Sequence, residues 1–141
     1  MLGGKVVALT VLVVDDTDSA RDVAIRILRF YGIQATGAHN GQECLTILKH
    51  SRPDLILLDI AMPEMDGLAV LERLMQDPQC ADIPVVMMTA IADSESVGRA
   101  LHLGAREYLV KAEFTAPKML EVVRRHACHN TGPAEADAAS H

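Results

Sequence analysis

Apolar and polar residues follow one another in blocks along this chain, and the same pattern of blocks occurs five times. Four of the repeats begin with a short apolar run, whereas the second begins with the short mixed stretch from Gln34 to Ala38; each continues into a segment whose apolar residues recur every three or four positions. An unbroken apolar run suits a strand covered on both faces, and the second spacing is that of a helix with one buried side. Five strands alternating with five helices predict an α/β fold with a mostly parallel, doubly wound sheet.

Turn and capping residues set the expected boundaries of these elements. We predict strands at residues 9–14, 34–38, 55–58, 84–89 and 108–110. The expected helix caps are Thr17 or Asp18, Asn40, Asp66, Asp93 and Thr115. We expect the first helix to bury Ala20, Val23, Ala24, Ile27, Leu28 and Tyr31, and the fourth to bury Val97, Ala100 and Leu101.

The length of 141 residues fits one domain. We expect a loose leader at residues 1–8, the folded domain at 9–129, and a disordered tail or the start of a linker at 130–141, which contain no large apolar residue. The apolar run from Val6 to Val14 is far shorter than the ~20 residues that cross a bilayer, and it lacks a cleavage site. We therefore expect no membrane insertion and a cytoplasmic location.

Composition excludes several function classes. A net charge of −6 and an aromatic content of 3% argue against direct nucleic-acid binding, which needs basic surface and stacking platforms. The three cysteines, Cys44, Cys80 and Cys128, have no metal-ligand spacing. We expect them to be reduced thiols, two half-buried and one exposed.

Polar residues follow four of the five predicted strands. Asp15 and Asp16 follow the first strand, Asp59 the third, Thr89 ends the fourth and Lys111 follows the fifth. Taken singly, each is explained by a helix cap, a turn or a solvated lysine. Because the carboxyl ends of parallel strands share one edge, where ligands bind, we expect all five side chains to form one site.

The residue types in this set indicate phosphoryl chemistry. Three crowded carboxylates repel one another, and one ammonium cannot neutralise them. Oxygen ligands suit Mg²⁺, which commonly joins carboxylates to a phosphate oxygen. Asp59 is the candidate nucleophile, the paired aspartates would hold the metal, Lys111 would neutralise the transferring group and Thr89 would hydrogen-bond one of its oxygens. No P-loop or dinucleotide glycine pattern indicates a bound nucleotide.

Four motifs stand in order along the chain: Val-Val-Asp15-Asp16, Leu-Leu-Asp59-Ile-Ala-Met-Pro63-Glu-Met-Asp66-Gly67, Met-Thr89-Ala90, and Gly104-Ala105 to Tyr108-Leu-Val-Lys111. With this set, the chain resembles a response-regulator receiver domain of two-component signal transduction over about residues 11–129. The resemblance implies a flavodoxin-like three-layer sandwich whose five-stranded parallel sheet has the order 2-1-3-4-5.

The resemblance also implies a role for each site residue. Asp59 would accept phosphate from a phosphohistidine on a sensor histidine kinase or a histidine phosphotransfer protein. Asp16, Asp59 and the backbone carbonyl of Ala61 would ligate Mg²⁺, with Asp15 acting through water. Thr89 and Tyr108 would form a switch pair that changes the surface of the fourth helix, fifth strand and fifth helix. A downstream protein would bind there, to a monomer or a phosphorylation-dependent dimer.

Three positions deserve comparison with the family pattern. Family members usually have proline after the lysine, but Ala112 stands there, so the peptide is either trans or strained. We therefore expect a rearranged loop from Lys111 to Phe114, with Glu113 competing for the ammonium. Ala61 and Ile91 follow Asp59 and Thr89 by two residues and would give the phosphorylated state an intermediate lifetime.

The leading hypothesis is a phosphorylation-dependent signalling switch that catalyses only its own phosphorylation and dephosphorylation. One alternative is a receiver-like interaction module that works without phosphorylation. Another is a phosphatase with an aspartate nucleophile, which generally needs a second acid two residues after that nucleophile. Ala61 occupies this position, so the phosphatase is the less well supported alternative.

Overall fold

The computed structural model describes residues 8–90, 94–113 and 115–127, and within them strands and helices alternate without exception. The elements are β1 (Thr10–Val14), α1 (Asp18–Phe30), β2 (Gln34–Ala38), α2 (Gly41–Leu48), β3 (Leu55–Asp59), α3 (Gly67–Gln76), β4 (Val85–Thr89), α4 (Ser94–Leu103), β5 (Glu107–Val110) and α5 (Ala116–Ala127). The predicted alternation is thereby confirmed, and all five strands agree with the predicted bounds to within one residue at each end.

All five strands are parallel and lie in the order β2-β1-β3-β4-β5, as predicted. One apolar cluster joins the sheet to α2, α3 and α4, and a second joins its other face to α1 and α5. Neighbouring residues of β1 point to opposite faces of the sheet: Leu12 lies in the first cluster and Val13 lies in the second. Burial on both faces explains why this strand is a continuous apolar run, and the arrangement is the expected flavodoxin-like sandwich.

The predicted caps account for three helix starts. Asn40 accepts a hydrogen bond from the Glu43 backbone N–H at 2.7 Å, and Asp66 accepts one from Ala69 at 2.9 Å. Thr115 Oγ1 accepts from the backbone N–H of Lys118 at 3.3 Å. Thr17 precedes α1 but makes no such side-chain bond, and Asp93 lies outside the described residues.

Some predicted core residues are exposed. Leu101 is 44% exposed and Val23 is 55% exposed, while Tyr31 also lies largely in solvent. These predictions were wrong because each helix contacts the sheet over a narrower stripe than its apolar residues cover. Ala24 and Leu28 occupy the buried stripe of α1.

Two of the three cysteines are more deeply buried than predicted. Cys44 and Cys80 are free thiols that both lie in the core, and Cys128 is outside the described residues. Burial, helped by the nearby Cys80, raises the pKa of the Cys44 thiol to about 12. Cys44 is therefore an inert packing residue at neutral pH.

The ends of the chain remain a matter of prediction. The leader at 1–8 and the tail at 130–141 lie, apart from residue 8, outside the residues that the structure describes. Among the helices that it does describe, none combines the length and the apolar character that a bilayer crossing requires.

Candidate functional site

The predicted site residues meet at the carboxyl edge of the sheet. Asp15 directly follows β1, Asp59 is the last residue of β3, Thr89 is the last of β4 and Lys111 directly follows β5. Since β1, β3, β4 and β5 are consecutive neighbours, these residues stand side by side. The backbone N–H of Lys111 donates to the carbonyl of Thr89 at 2.7 Å, which joins the last two strands at this edge.

The three aspartates form a compact group of oxygen atoms. One carboxylate oxygen from each of Asp15, Asp16 and Asp59 lies within 4.8 Å of the others. Asp15 and Asp59 are only 1% and 3% exposed, whereas Asp16 faces solvent. The cluster therefore has a buried floor and an open side through which a small ligand could enter.

Lys111 supplies positive charge to this floor. Its Nζ lies 2.7 Å from Asp15 Oδ2 and 3.3 Å from Asp59 Oδ2. The peptide to Ala112 is trans, so proline is not needed to bring the ammonium to the aspartates. No ion pair joins Lys111 to Glu113, although the structure describes both residues, and the expected competition from Glu113 is therefore absent from this arrangement.

The charges of the cluster are not balanced. Burial, followed by the charge of Asp15, raises the pKa of Asp59 to about 6, against the opposing effect of Lys111. Burial alone would lower the pKa of Lys111, but its hydrogen bond to Asp15 and the charges of both aspartates outweigh this and raise it. The lysine therefore stays charged, yet the carboxylates still lack positive charge.

The donor set fits a small divalent cation. Asp15 Oδ1 accepts the backbone N–H of Thr17 at 3.0 Å. Asp15 Oδ2 is fully enclosed, and among the described residues its one partner is the ammonium of Lys111 at 2.7 Å. A carboxylate oxygen in this position beside two further carboxylates is suited to a hard cation such as Mg²⁺.

Gly67 allows the start of α3 to lie directly against the backbone at the end of β3. A Cβ on this residue would lie 2.1 Å from the carbonyl oxygen of Asp59 and 2.8 Å from Cα of Ile60. Its backbone N–H donates to the carbonyl of Ile60 at 2.8 Å. From the sequence, Asp66-Gly67 was predicted as a helix start, and this close approach was not predicted. The only features of the sequence that point to it are the glycine itself and the apolar strand before it.

The remaining predicted residues occupy different environments. Thr89 is buried and Ala61 is exposed in the loop after β3. Tyr108 is 38% exposed on β5, where it pairs in register with Met87. Ile91 lies outside the described residues. The structure thus brings together the three aspartates and Lys111, with Thr89 on the neighbouring strand, and leaves Tyr108 facing outward.

Arg21 is a further residue at this edge, and no pattern in the sequence connected it with the site. In the structure its Nη1 donates to the backbone carbonyl of Asp15 at 2.8 Å. The two residues are six positions apart across the start of a helix, a separation that carries no recognisable signal in a single sequence.

Comparison with known proteins agrees with this geometry. The family model for the response regulator receiver domain matches residues 11–124. The chain is 37% identical over 111 residues to the probable transcriptional regulator ycf27 of Porphyridium aerugineum, covering 79% of this chain and 44% of that one. It is 31% identical over 132 residues to the phosphate regulon transcriptional regulatory protein PhoB of Pseudomonas aeruginosa, covering 94% and 57%. The chain thus spans about half the length of these relatives.

Solved structures are similar over nearly the whole described fold. The chemotaxis protein CheY4 of Vibrio cholerae superposes with a TM-score of 0.80 at 28% identity, covering 85% of this chain and 99% of that one. The receiver domain of a signal transduction histidine kinase from Syntrophus aciditrophicus gives a TM-score of 0.81 at 32% identity, covering 89% and 95%. From its sequence match, its fold and its acidic edge, this chain belongs to the response-regulator receiver domain family of two-component signalling.

Proposed function

We propose that this domain is a phosphorylation-dependent signalling switch in which Asp59 accepts a phosphoryl group from a phosphohistidine. The donor would be a sensor histidine kinase or a histidine phosphotransfer protein. The observation that carries the proposal is the cluster of three carboxylates within 4.8 Å of one another, with Asp59 buried beside a single ammonium. Because the carboxylates of this cluster outnumber its cations, the cluster favours binding of a cation, and the bound cation then favours binding of a phosphoryl group.

The transfer is a single displacement at phosphorus. A carboxylate oxygen of Asp59 forms a bond to the phosphorus atom as the bond from phosphorus to the histidine nitrogen breaks, and the imidazole leaves with a proton from solvent. The Lys111 ammonium neutralises charge on the phosphoryl oxygens, and the Thr89 hydroxyl hydrogen-bonds one of them. The domain thus catalyses its own phosphorylation, and hydrolysis of the same bond resets it.

Mg²⁺ fits the proposed site and, when bound, supplies charge neutralisation for the phosphoryl oxygens. Asp16, Asp59 and the backbone carbonyl of Ala61 would hold it, and Asp15 would act through water. The short side chain of Ala61 leaves space beside Asp59, which supports an intermediate lifetime for the phosphorylated state. A half-life of seconds or of days would contradict that part of the proposal.

The proposed output is a change on the surface formed by α4, β5 and α5. Thr89 would move toward the phosphoryl group and Tyr108 would turn inward behind it. The exposed side chains of Tyr108 and Leu101 give this surface apolar contacts for a downstream protein. Two relatives are named as transcriptional regulators, and we propose that any DNA contact in a longer protein would come from another domain, because this chain is acidic.

Acetyl phosphate tests the proposal without the cognate kinase. With Mg²⁺ present, intact mass spectrometry should show one added phosphoryl group on the wild-type protein and none on Asp59→Asn. Glu107→Gln, which removes a carboxylate at the opposite end of β5, is the matched control and should be phosphorylated like the wild type. If the wild type stays unmodified, the interaction-module alternative is favoured; if Asp59→Asn is modified equally, Asp59 is not the acceptor.

A further inference from the structure

Arg21 ties the acidic loop after β1 to the first turn of α1. Its Nη1 donates to the backbone carbonyl of Asp15 at 2.8 Å, and its Nη2 donates to Asp18 Oδ1 at 2.6 Å. The Arg21 side chain is only 16% exposed, while that of Asp18 is 83% exposed. The guanidinium is therefore held beneath the loop by its bond to the backbone, since the ion pair with Asp18 is largely solvated.

The stem of Arg21 also contacts the edge strand β2. A Cβ on Gly37 would lie 2.9 Å from Cδ of Arg21 and 3.3 Å from its Cγ. Glycine at this position leaves the space that the arginine methylenes fill. The neighbouring Ala38 accepts the backbone N–H of Asp15 at 3.1 Å. Arg21 thus packs against β2 beside the residue whose carbonyl accepts the backbone N–H of Asp15.

These bonds fix the backbone on both sides of the Asp15 Cα. The N–H is bonded to Ala38, the carbonyl to Arg21, and the side-chain Oδ1 to the N–H of Thr17. The carbonyl belongs to the peptide that leads into Asp16, whose carboxylate is exposed to solvent. The orientation of this peptide helps to set the direction in which the Asp16 side chain leaves the backbone.

We propose that Arg21 is a positioning residue for the Mg²⁺ site, and that it acts by holding the Asp15–Asp16 peptide so that both carboxylates converge on Asp59. The inference rests on the proposed function, since it assigns a role within the same site. Groups that orient metal ligands without touching the metal commonly alter affinity by about 10- to 100-fold. Arginine suits the position because its planar guanidinium holds two nitrogens in a fixed geometry that reaches both acceptors, whereas lysine has a single nitrogen on a flexible stem.

Arg29 provides a matched control on the same helix. Its Nε and Nη2 donate to the backbone carbonyl of Ala35 at 3.0 and 2.8 Å. Like Arg21, it joins α1 to the backbone of another segment through a guanidinium. It stands eight residues further along α1, about 12 Å away by helical rise, at the end remote from the aspartates. Loss of either arginine removes helix-to-backbone hydrogen bonds, but only Arg21 supports the loop that carries the ligands.

The test is calorimetric titration with Mg²⁺ alone, together with thermal unfolding in its absence. Arg21→Ala should raise the Mg²⁺ dissociation constant about tenfold, Arg21→Lys should give an intermediate value, and Arg29→Ala should bind Mg²⁺ like the wild type. In phosphorylation by acetyl phosphate, the half-saturating Mg²⁺ concentration should rise for Arg21→Ala, while the rate at saturating Mg²⁺ returns toward that of the wild type.

Two results would overturn the proposal in distinguishable ways. If the wild type binds Mg²⁺ and the Arg21 variants bind it as tightly as Arg29→Ala, the positioning role is wrong and the proposed function stands. If the wild type binds no Mg²⁺, the proposed function and the role of Arg21 fail together. Should Arg21→Ala not fold, Arg21→Lys decides the matter, because it keeps the methylene stem against Gly37.

Discussion

The two ends of the sheet carry ionic clusters that differ in their ratio of carboxylates to cations. At the carboxyl edge, Asp15 and Asp59 share the single ammonium of Lys111. At the other end, the Glu107 carboxylate lies 2.9 Å from a guanidinium nitrogen of Arg125 and 2.7 Å from His126 Nε2. The first cluster has more carboxylates than cations. In the second, Arg125 also pairs with Glu121 at 2.8 Å, so two carboxylates face two partners that can carry positive charge.

The pKa values of the two carboxylates shift in opposite directions. Burial and the charge of Asp15 raise the pKa of Asp59. Burial would also raise the pKa of Glu107, but the hydrogen bond with His126 and the charge of Arg125 outweigh it and lower the value. A satisfied cluster fastens β5 to α5, whereas an unsatisfied one carries a free-energy cost that a ligand can relieve. The difference supports the proposed placement of the functional site at the carboxyl edge.

The largest effect is expected from Gly67→Ala, which breaks the carboxyl edge without touching a charge. The new methyl group would meet the backbone of Asp59 and Ile60, which cannot rotate away, so we expect a loss of about 3 kcal/mol in the free energy of unfolding. Gly98→Ala is the control, since no atom lies within 4 Å of its Cβ position in α4. It should gain up to about 1 kcal/mol. Urea unfolding measures both, and an equal response would refute the close approach.

Asp59→Asn should stabilise the metal-free protein at neutral pH. The pKa of Asp59 is about 6 in the folded protein against 3.8 ordinarily, so its contribution to stability is full below about pH 4 and is lost as the pH rises through about 6. Because asparagine does not ionise, the variant avoids this loss, and its free energy of unfolding should exceed that of the wild type by up to about 3 kcal/mol. Thermal unfolding between pH 4 and pH 8 should show the gain appearing only toward the upper end; a destabilised variant at pH 8 would contradict it.

Glu107→Gln should show the opposite sign and a smaller size. Because the pKa of Glu107 is lowered from its ordinary 4.5, its stabilising contribution is present above about that pH and is lost as the pH falls through the lower folded value. We expect a loss of about 1 kcal/mol at neutral pH, since the cluster is partly solvated. The difference in free energy of unfolding between the variant and the wild type should become smaller at acid pH. A loss that persists unchanged at pH 3 would show that the charge is not responsible.

The sequence predicted those parts of the fold and site that depend on chain order. Once the strands are parallel, the residues that follow them must share an edge, so Asp15, Asp59 and Lys111 could be grouped without tertiary information. Without proline after Lys111, the sequence left that peptide either trans or strained; it is trans and still brings the ammonium to the aspartates, while Phe114, at the end of the loop expected to rearrange, lies outside the described residues.

Features that depend on contact geometry escaped prediction. Leu101 is exposed because the sheet covers only part of the surface of α4. The spacing of apolar residues does not show how wide that covered part is. The pair formed by Glu107 and His126 joins residues 19 positions apart on different elements. The approach of Gly67 to Asp59 and the bond from Arg21 to the Asp15 carbonyl depend on the path of the backbone, which no single-sequence pattern records.

The most direct test of the charge-deficient edge is the change in unfolding temperature on adding Mg²⁺ at neutral pH. A ligand that binds only the folded state raises that temperature, and the rise grows with the logarithm of the ligand concentration once this exceeds the dissociation constant. Wild type and Glu107→Gln should be stabilised equally, whereas Asp59→Asn, although the most stable of the three without metal, should gain little. An equal rise in all three proteins, or no rise in the wild type, would contradict the assignment of a cation site to Asp59.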